Sequence, residues 1–269
     1  MTEDKKGALA AKTLLRGQPI LVAVSGGADS LAALFYLRQL GYNVTAASFD
    51  HQLRGQNGAE DVAYVSRVCR KFGIPFIKGS GNVSAHIEEY KLSIEEGARD
   101  LRYHFLFEQA SKIDAQAVVT GHTADDQAET ILMHFLRGAG LSGLRGMPTK
   151  TFIAAFSTHI PLVRPLLQWT RADTLTYCQD LGLSPRHDET NDDPKFLRNR
   201  LRLELIPLLK EYNPNLIETL ARSAEVLHAD SLLLDELTRE SLQHTCQDKG
   251  DGYFLFSREK LRETPLPLL

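Results

Sequence analysis

The first two-thirds of the chain alternate between short apolar runs and longer segments in which apolar residues recur every three or four positions. Residues 20–24 form a compact apolar run typical of a buried strand, and residues 31–37 have the spacing of a helix. Further strands are predicted at 44–49, 74–77, 117–120 and 161–167, and further helices at 59–72, 94–112, 124–137 and 170–181. This alternation predicts an α/β fold, with a doubly wound, mostly parallel sheet covered by helices on both faces.

The pattern changes after Pro207 and Pro214, where residues 215–245 become continuously helical. We therefore predict an α/β domain over residues 1–212, followed by a smaller α-helical domain over residues 213–269. The last five residues interrupt an apolar pattern, so we expect a further segment beyond them.

Composition limits the classes of function. The net charge of −3 gives the 269-residue chain no overall attraction to nucleic acid, so any nucleic-acid site must be a local basic patch. The three cysteines are far apart and form no Cys-x-x-Cys pair, which argues against a zinc ribbon, an iron–sulfur cluster or a disulfide framework. Without an apolar segment before residue 20 or a membrane-length apolar stretch, we expect a cytoplasmic protein with no membrane partner.

The most informative segment is the loop at 25–30, with the sequence Ser-Gly-Gly-Ala-Asp-Ser, between the first strand and its helix. Free backbone N–H groups and the helix dipole favour an anion there, and Ser25 and Ser30 can add hydroxyl donors. Asp29 would repel a phosphate unless Mg²⁺ lay between them. No Gly-Lys-Ser/Thr follows, so this is not the usual nucleotide P-loop. A tight turn with an aspartate cap is the alternative interpretation.

A second cluster of chemically useful residues lies at 121–130, where His122 and Asp126 are four residues apart at a helix start. The carboxylate can serve Mg²⁺ or an attacking amine, and the imidazole can contact phosphate or move a proton. An acidic first turn that merely complements the helix dipole is the alternative. The loop at 25–30 and residues 50–51 and 121–122 all follow predicted strands, which places them at the edge where such sheets bind ligands.

Two groups of arginines complete the candidate site. Arg99 and Arg102 lie on one predicted helix, where their guanidinium groups suit phosphate oxygens. A solvated helix face explains Arg99 equally well and Arg102 less well. Arg198, Arg200 and Arg202 cannot all share one helix face, so we predict a loop-to-helix turn that contacts several groups, such as an RNA backbone. A charge-rich surface turn is the alternative for this group.

Together these motifs resemble the PP-loop ATP pyrophosphatase family and, within it, the tRNA(Ile)-lysidine synthetase subfamily. The loop at 25–30 is shared by the whole family. More specific to the subfamily are the blocks at 121–130 and 137–144, together with Asn191 and residues 198–200. The segments at 50–54, 99–103 and 188–202 complete the match, which extends from about residue 20 to residue 209.

The resemblance implies a ligase that uses ATP and Mg²⁺ in two steps. ATP first adenylates the oxygen on carbon 2 of the wobble cytidine of a tRNA(Ile) with a CAU anticodon, and pyrophosphate leaves. The ε-amine of free lysine then attacks that carbon and expels AMP, which gives lysidine. A homodimer is compatible with the sequence, and the quaternary state stays open.

The resemblance also implies roles for individual residues. Which of the two adjacent aspartates receives the lysine amine is left open by their spacing. The implied catalytic residues are Asp29, Arg102, His122 and Asp126, with Asp29 also the Mg²⁺ ligand. The implied ATP-binding residues are Ser25, Gly26, Gly27, Ala28, Asp29, Ser30 and His51. The implied contacts with tRNA or substrate are Arg99, Asp125, Arg198, Arg200 and Arg202.

Two departures from the family pattern stand out. Gln52 occupies a position at the nucleotide edge where the family usually has glycine. Many members also continue into a C-terminal domain that contacts the tRNA acceptor arm, and we expect this chain to end before it.

Three other functions stay open at this point. A PP-loop tRNA thiolase would need a nucleophilic or cluster-binding cysteine pair, and a PP-loop amidotransferase ligase would need a glutaminase partner. A non-catalytic module that binds ATP or RNA would not need the acidic residues of the two motifs.

Overall fold

The computed structural model describes residues 14–53, 56–186 and 195–268, and its centre is a six-stranded sheet. The strands are β1 (Pro19–Ala23), β2 (Asn43–Asp50), β3 (Phe76–Ser80), β4 (Val118–Val119), β5 (Lys150–Ile153) and β6 (Ser157–Val163). Their order is β3-β2-β1-β4-β6-β5, and all neighbours are parallel except β5 and β6. The predicted α/β fold with a mostly parallel sheet is confirmed.

Helices connect the strands and form most of the C-terminal region. They are α1 (Ala28–Gln39), α2 (Gln56–Phe72), α3 (Val83–Tyr90), α4 (Ile94–Lys112), α5 (Ala124–Leu136), α6 (Leu141–Leu144), α7 (Arg171–Asp180), α8 (Leu197–Arg200), α9 (Ile206–Tyr212), α10 (Leu216–Thr245) and α11 (Arg258–Glu263). A π-helical turn, Leu201–Leu205, joins α8 to α9, and Leu266–Leu268 forms a 3₁₀ turn. In the described part of the chain no helix is long and apolar enough to cross a membrane.

Two hydrophobic layers cover the two faces of the sheet. Ile20 and Val22 of β1 point into a core that contains α1, whereas the intervening Leu21 packs against α4 on the opposite face. All three side chains are fully buried. A parallel strand that is buried on both faces needs a continuous apolar run, which is the pattern that the sequence shows there.

The order of the strands places the site. From β1 the chain proceeds to β2 and β3 on one side and then returns to β4 on the other side of β1. The loops that follow β1 and β4 therefore diverge around a crevice at the carboxyl edge of the sheet, which is where open α/β sheets bind ligands. Both motifs of interest, at 25–30 and 121–130, start in these two loops.

The C-terminal region attaches to the sheet domain through α5. Small residues of α5, Ala124 and Ala128, pack against Ile217 and Ala221 of α10 and against Ile206. The predicted long helix over 215–245 and the helical character of the C-terminal region are confirmed. The domain boundary near residue 212 stays a prediction.

The C-terminal region also contains a two-stranded antiparallel hairpin that the sequence analysis did not predict, β7 (Cys246–Gly250) and β8 (Tyr253–Phe256). Its first strand carries polar residues and lies exposed, so it lacks the apolar alternation that reveals a half-buried strand. Only Gly252, with φ +82°, marks the turn.

Helix starts were predicted well because the capping signals are local. Ser93 and Thr123 form capping boxes with Glu96 and Asp126, and Thr170 caps α7. The sequence analysis did not predict α3, the edge strand β5 or the single turn α6. The strand predicted at 161–167 corresponds to β6, which begins and ends four residues earlier, at Ser157–Val163. These short elements depend on packing against neighbours more than on periodicity.

Gly121 offers a test of the crevice geometry. A Cβ atom built on Gly121 would lie 2.4 Å from the backbone oxygen of Asp29, so the loop after β4 and the start of α1 approach too closely for a side chain. We expect Gly121→Ala to lower the free energy of unfolding by about 1–3 kcal/mol, measured by urea denaturation. Gly140→Ala is the matched control, because no atom lies within 4 Å of its Cβ position. Equal stability of the two variants would contradict this contact.

Candidate active site

The loop between β1 and α1 leaves the helix N-terminus open. Gly27 is the N-cap of α1 and provides no side-chain hydrogen bond, whereas Ser93, Thr123 and Thr170 cap α4, α5 and α7. The first amides of a helix have no partner within the helix, so they can bind an anion here. Gly26 adopts φ +95°, which lets the chain turn tightly before the helix.

The two loop serines have different roles. Ser30 donates its hydroxyl to the Gly27 carbonyl at 2.9 Å and accepts the Ser25 backbone N–H at 3.2 Å. The Ser30 hydroxyl therefore shapes the loop, and its role as a donor to a bound anion stays a prediction. The Ser25 hydroxyl lies 3.3 Å from that of Ser30 and faces the same turn. Ala28 opens the helix.

The Asp29 carboxylate has few neighbours that stabilise its negative charge. Thr174 donates its hydroxyl to Asp29 at 2.5 Å, and the nearest arginine atom, Nε of Arg171, is 3.9 Å away. Loss of hydration raises the pKa of Asp29 to about 6, and the nearby charges of Asp126 and Asp125 act in the same direction. At neutral pH this carboxylate is ionised at an energetic cost that a bound cation would remove.

His122 follows β4 at the opposite side of the crevice. Its Nδ1 lies 2.8 Å from the Thr120 hydroxyl. Loss of hydration lowers the pKa of His122 to about 3; Asp126 opposes this shift, whereas the guanidinium groups of Arg164 and Arg102 support it. The imidazole is therefore neutral at physiological pH, so it can exchange hydrogen bonds with a ligand but does not carry a charge.

The adjacent aspartates of α5 are engaged differently. Asp126 caps its own helix by accepting the Thr123 N–H at 2.9 Å, and its other oxygen accepts Arg171 Nη2 at 2.9 Å and Arg198 Nη2 at 3.4 Å. Burial raises the pKa of Asp126, but the two arginines and the capping hydrogen bond outweigh it, so the net pKa is lowered. Asp125 instead accepts the backbone N–H of Arg171 at 2.8 Å, which fixes the start of α7.

Two residues to which the sequence analysis gave no role, Glu129 and Arg171, join the charged side chains of the crevice into one cluster. Glu129 is fully buried and pairs with Arg171 at 3.0 Å, with Arg198 at 2.7 Å and with Arg202 at 2.8 Å. Arg171 in turn reaches Asp126 and approaches Asp29. Glu129 stands inside the quoted motif, at i+3 from Asp126, so helical spacing could have shown it. Arg171 comes from a distant segment, and no local signal marked it.

The arginines at 198–202 divide between two faces. Arg198 and Arg202, four residues apart, share one face and bind Glu129 internally. Arg200 points elsewhere, remains more than half exposed and lies 3.7 Å from Glu204. Neighbouring arginines diverge as predicted, and they lie in the first turns of the helical segment that begins at Leu197. The quoted residues 188–193, Asn191 among them, lie outside the described residues, as does Arg54.

The remaining predicted residues lie around the same edge. His51 follows β2, directly beside the strand that carries the loop at 25–30. Gln52 adopts φ +55°, and its N–H is accepted by Asp50 at 2.9 Å. This left-handed backbone favours glycine, which explains the residue usual in the family. Arg99 and Arg102 lie on α4 next to the Tyr103 ring.

The charges of the crevice do not cancel. Four carboxylates, on Asp29, Asp125, Asp126 and Glu129, meet three guanidinium groups, on Arg171, Arg198 and Arg202. With the carboxylates ionised and His122 neutral, these seven side chains carry one negative charge in excess, and among the described residues neither Asp29 nor Asp125 has an arginine side chain within 3.5 Å. The acidic side of the crevice is therefore prepared for a cation.

Comparison with known protein families agrees with this geometry. The model of a family described as a PP-loop domain matches residues 3–209. The chain belongs to the PP-loop domain family. The match ends in α9, so it covers the sheet and the clustered arginines but not α10 or the hairpin.

Two of the most similar curated relatives have the same name. The chain is 41% identical over 229 residues to a tRNA(Ile)-lysidine synthase of Dehalococcoides mccartyi, an alignment that covers 83% of this chain and 49% of the relative. It is 38% identical over 248 residues to a tRNA(Ile)-lysidine synthase of Porphyromonas gingivalis, which covers 92% of this chain and 52% of the relative. The chain spans about half the length of the curated relatives it matches.

A solved structure shares the fold of this PP-loop domain. The U34-tRNA thiolase of Methanococcus maripaludis superposes with a TM-score of 0.65 over 84% of this chain and 79% of that protein. The two sequences are only 16% identical, so the likeness concerns the fold alone.

The buried carboxylate at the centre of the cluster can be tested directly. Glu129→Gln removes the charge that three guanidinium groups share, so we expect a loss of about 3–5 kcal/mol in the free energy of unfolding. Glu204→Gln is the control, because Glu204 forms an exposed i,i+4 pair with Arg200 and should change stability by less than about 0.5 kcal/mol. Urea denaturation measures both. A Glu129→Gln protein as stable as its control would refute the central role of Glu129.

Proposed function

We propose that this chain carries the catalytic part of a tRNA(Ile)-lysidine synthetase. In this proposal ATP adenylates the wobble cytidine of a CAU anticodon, and free lysine then displaces AMP to form lysidine. The observation that carries the proposal is the meeting of an open helix N-terminus, Asp29 and the His122–Asp126 pair at one crevice. This chain covers about half the length of its curated relatives, and their names support the choice of reaction.

The phosphates of ATP fit the start of α1. The amides of its first turn, the Ser25 hydroxyl and the glycine turn present donors to a polyphosphate. Mg²⁺ fits Asp29, whose ionised form is costly without a cation and lacks a close arginine. Within the described residues no group of three protein ligands could hold a metal, and Mg²⁺ commonly combines one carboxylate with phosphate oxygens and water. When bound, the ion would neutralise charge on the departing pyrophosphate.

The lysine ammonium fits the acidic side of the crevice at Asp126. Because the pKa of Asp126 is lowered, this carboxylate stays ionised and is better suited to bind the ammonium than to remove its proton. Asp125 accepts a single backbone N–H, that of Arg171, so the division of roles between the two aspartates stays a prediction. The adjacent guanidinium groups of Arg171 and Arg198 would lower the pKa of a bound amine and so favour its neutral, nucleophilic form.

The geometry gives less support to sulfur transfer. Burial raises the pKa of the Cys69 and Cys178 thiols to about 11, so neither thiol forms a reactive thiolate at neutral pH. Cys246 lies far along the chain in the hairpin β7–β8. A thiolase would need a nucleophile that the described residues do not offer. A non-catalytic module that binds ATP or RNA is the remaining alternative. The assay described next distinguishes it from an enzyme, because such a module has no turnover.

The reaction is tested with Mg-ATP, labelled lysine and a tRNA(Ile) transcript that has a CAU anticodon. We expect ATP-dependent labelling of the RNA that disappears when the wobble cytidine is replaced. Asp29→Ala should abolish pyrophosphate release and labelling while the protein stays folded, since removing a poorly hydrated carboxylate relieves an unfavourable charge. Turnover by Asp29→Ala would exclude Asp29 from the metal role.

If no label is transferred, exchange of pyrophosphate into ATP decides between two cases. Pyrophosphate exchange without transfer of label would support the adenylation site and would show that lysine or this tRNA is not the second substrate. Absence of exchange by the folded wild-type protein would refute the proposed enzyme.

Arg200 is the arginine of its group that remains available to tRNA. Because it is exposed and only weakly paired, we expect Arg200→Ala to weaken tRNA binding several-fold, to reduce the salt slope of binding by about 1, and to leave ATP binding unchanged. Filter binding and calorimetry measure the two affinities. Arg70→Ala, an exposed arginine at the end of α2, controls for the loss of a surface charge. An equal loss of tRNA and ATP affinity would indicate a structural role.

A further inference from the structure

Two arginines lie against one buried tyrosine, and a third arginine follows the neighbouring strand β6. The guanidinium carbons of Arg99 and Arg102 lie 4.7 and 5.3 Å from the centre of the Tyr103 ring. Arg164 comes from the chain directly after β6, and its Nη1 donates to the Pro148 carbonyl at 2.7 Å. The sequence analysis gave Arg164 no role.

This basic cluster contains polar atoms without partners. Arg102 Nε, the Tyr103 hydroxyl and Arg164 Nε are buried and form no hydrogen bond within the described part of the chain. Arg164 is 5% exposed and Tyr103 is fully buried. A buried donor without an acceptor costs about 1–3 kcal/mol, so three such donors in one place require an explanation.

The charges of this cluster are also unbalanced. Among the residues that the structure describes, no carboxylate forms an ion pair with Arg99, Arg102 or Arg164, whereas the arginines around Glu129 are all paired. Burial lowers the pKa of Arg164, and the nearby Arg99 contributes to the same shift. The cluster has donors and positive charge in excess, and therefore it lacks an anion.

The position of the cluster links it to the crevice. The Thr120 N–H donates to the carbonyl of Val163 at 3.0 Å, so Arg164 leaves the sheet beside the strand end that leads to His122. Arg102 and Arg164 both influence the charge state of His122. An anion held by these arginines would lie next to that imidazole.

We propose that Arg99, Arg102, Arg164 and the Tyr103 hydroxyl form an anion site for a phosphate group, in which Arg164 is a binding residue. The inference rests on the proposed function and extends it, because both ATP and the tRNA backbone supply phosphates to this crevice. Planar guanidinium groups and a phenol hydroxyl match the tetrahedral array of phosphate oxygens. Binding would give each unpartnered donor an acceptor.

Tyr103→Phe separates a binding role from a structural one. The hydroxyl has no partner in the ligand-free protein, so its removal should leave the melting temperature unchanged or higher. The same change should weaken anion binding several-fold. Tyr177→Phe is the matched control, because the Tyr177 hydroxyl donates to Gln39 at 2.7 Å; this variant should lose a little stability and keep its affinity.

Arg164→Gln tests the charge. We expect at least a tenfold loss of affinity, with the folded state checked by circular dichroism. Arg145→Gln is its control, since Arg145 is paired with Ser231 and Asp235 away from the cluster. The probes are inorganic pyrophosphate with Mg²⁺, and a stem-loop RNA that carries the CAU anticodon. Isothermal titration measures the first affinity and filter binding the second.

The anion site is supported if Tyr103→Phe and Arg164→Gln both lose affinity for the same probe, and any other result overturns it. Loss of pyrophosphate affinity identifies the nucleotide as the source of the phosphate, and loss of RNA affinity identifies the tRNA backbone. Lysidine formation by the wild type is measured separately. If the wild type forms lysidine but the two variants keep their affinity for the probes, the anion site alone is refuted. If the variants lose affinity but the wild type forms no lysidine, the proposed function alone is refuted.

Discussion

The interaction on which the rest of the crevice depends is the sharing of one buried carboxylate by three arginines. Glu129 holds Arg171 of α7 together with Arg198 and Arg202 of the helical segment 197–205, and both segments are distant from Glu129 along the chain. Each ion would be costly to bury alone, and each is tolerated because the others compensate it. Through Arg171 the same cluster fixes Asp126. The acidic side of the site is thus positioned by electrostatics more than by apolar packing.

The second constraint is the close approach of two backbones at the point where the strand order diverges. The loop after β4 passes so near the start of α1 that glycine is required at Gly121. This approach brings an open helix N-terminus and the His122–Asp126 helix start to one crevice. It also deprives Asp29 of water, which explains why that carboxylate is hard to ionise in the absence of a cation.

The crevice is polarised between its two sides. The acidic cluster around Glu129 retains one negative charge, and the basic cluster around Tyr103 contains three arginines with no ion pair among the described residues. A reaction that combines a phosphate ester with an amine brings ligands of opposite charge into one space. Separate regions of opposite charge allow both to bind without neutralising each other, while the uncharged His122 stands between them.

The sequence by itself determined the elements whose signals are local. The apolar runs of β1 and β4, the capping boxes of α4 and α5, and the glycine loop at 25–30 follow from neighbouring residues, so they could be read directly. The tertiary structure decided which charges meet. Arg171 and Arg164 carry no local signal, because their roles arise only when distant segments lie at one sheet edge. Likewise, spacing showed that Arg200 could not share a helix face with Arg198 and Arg202, but only the tertiary structure decided that Arg200 stays exposed while the other two turn inward to Glu129.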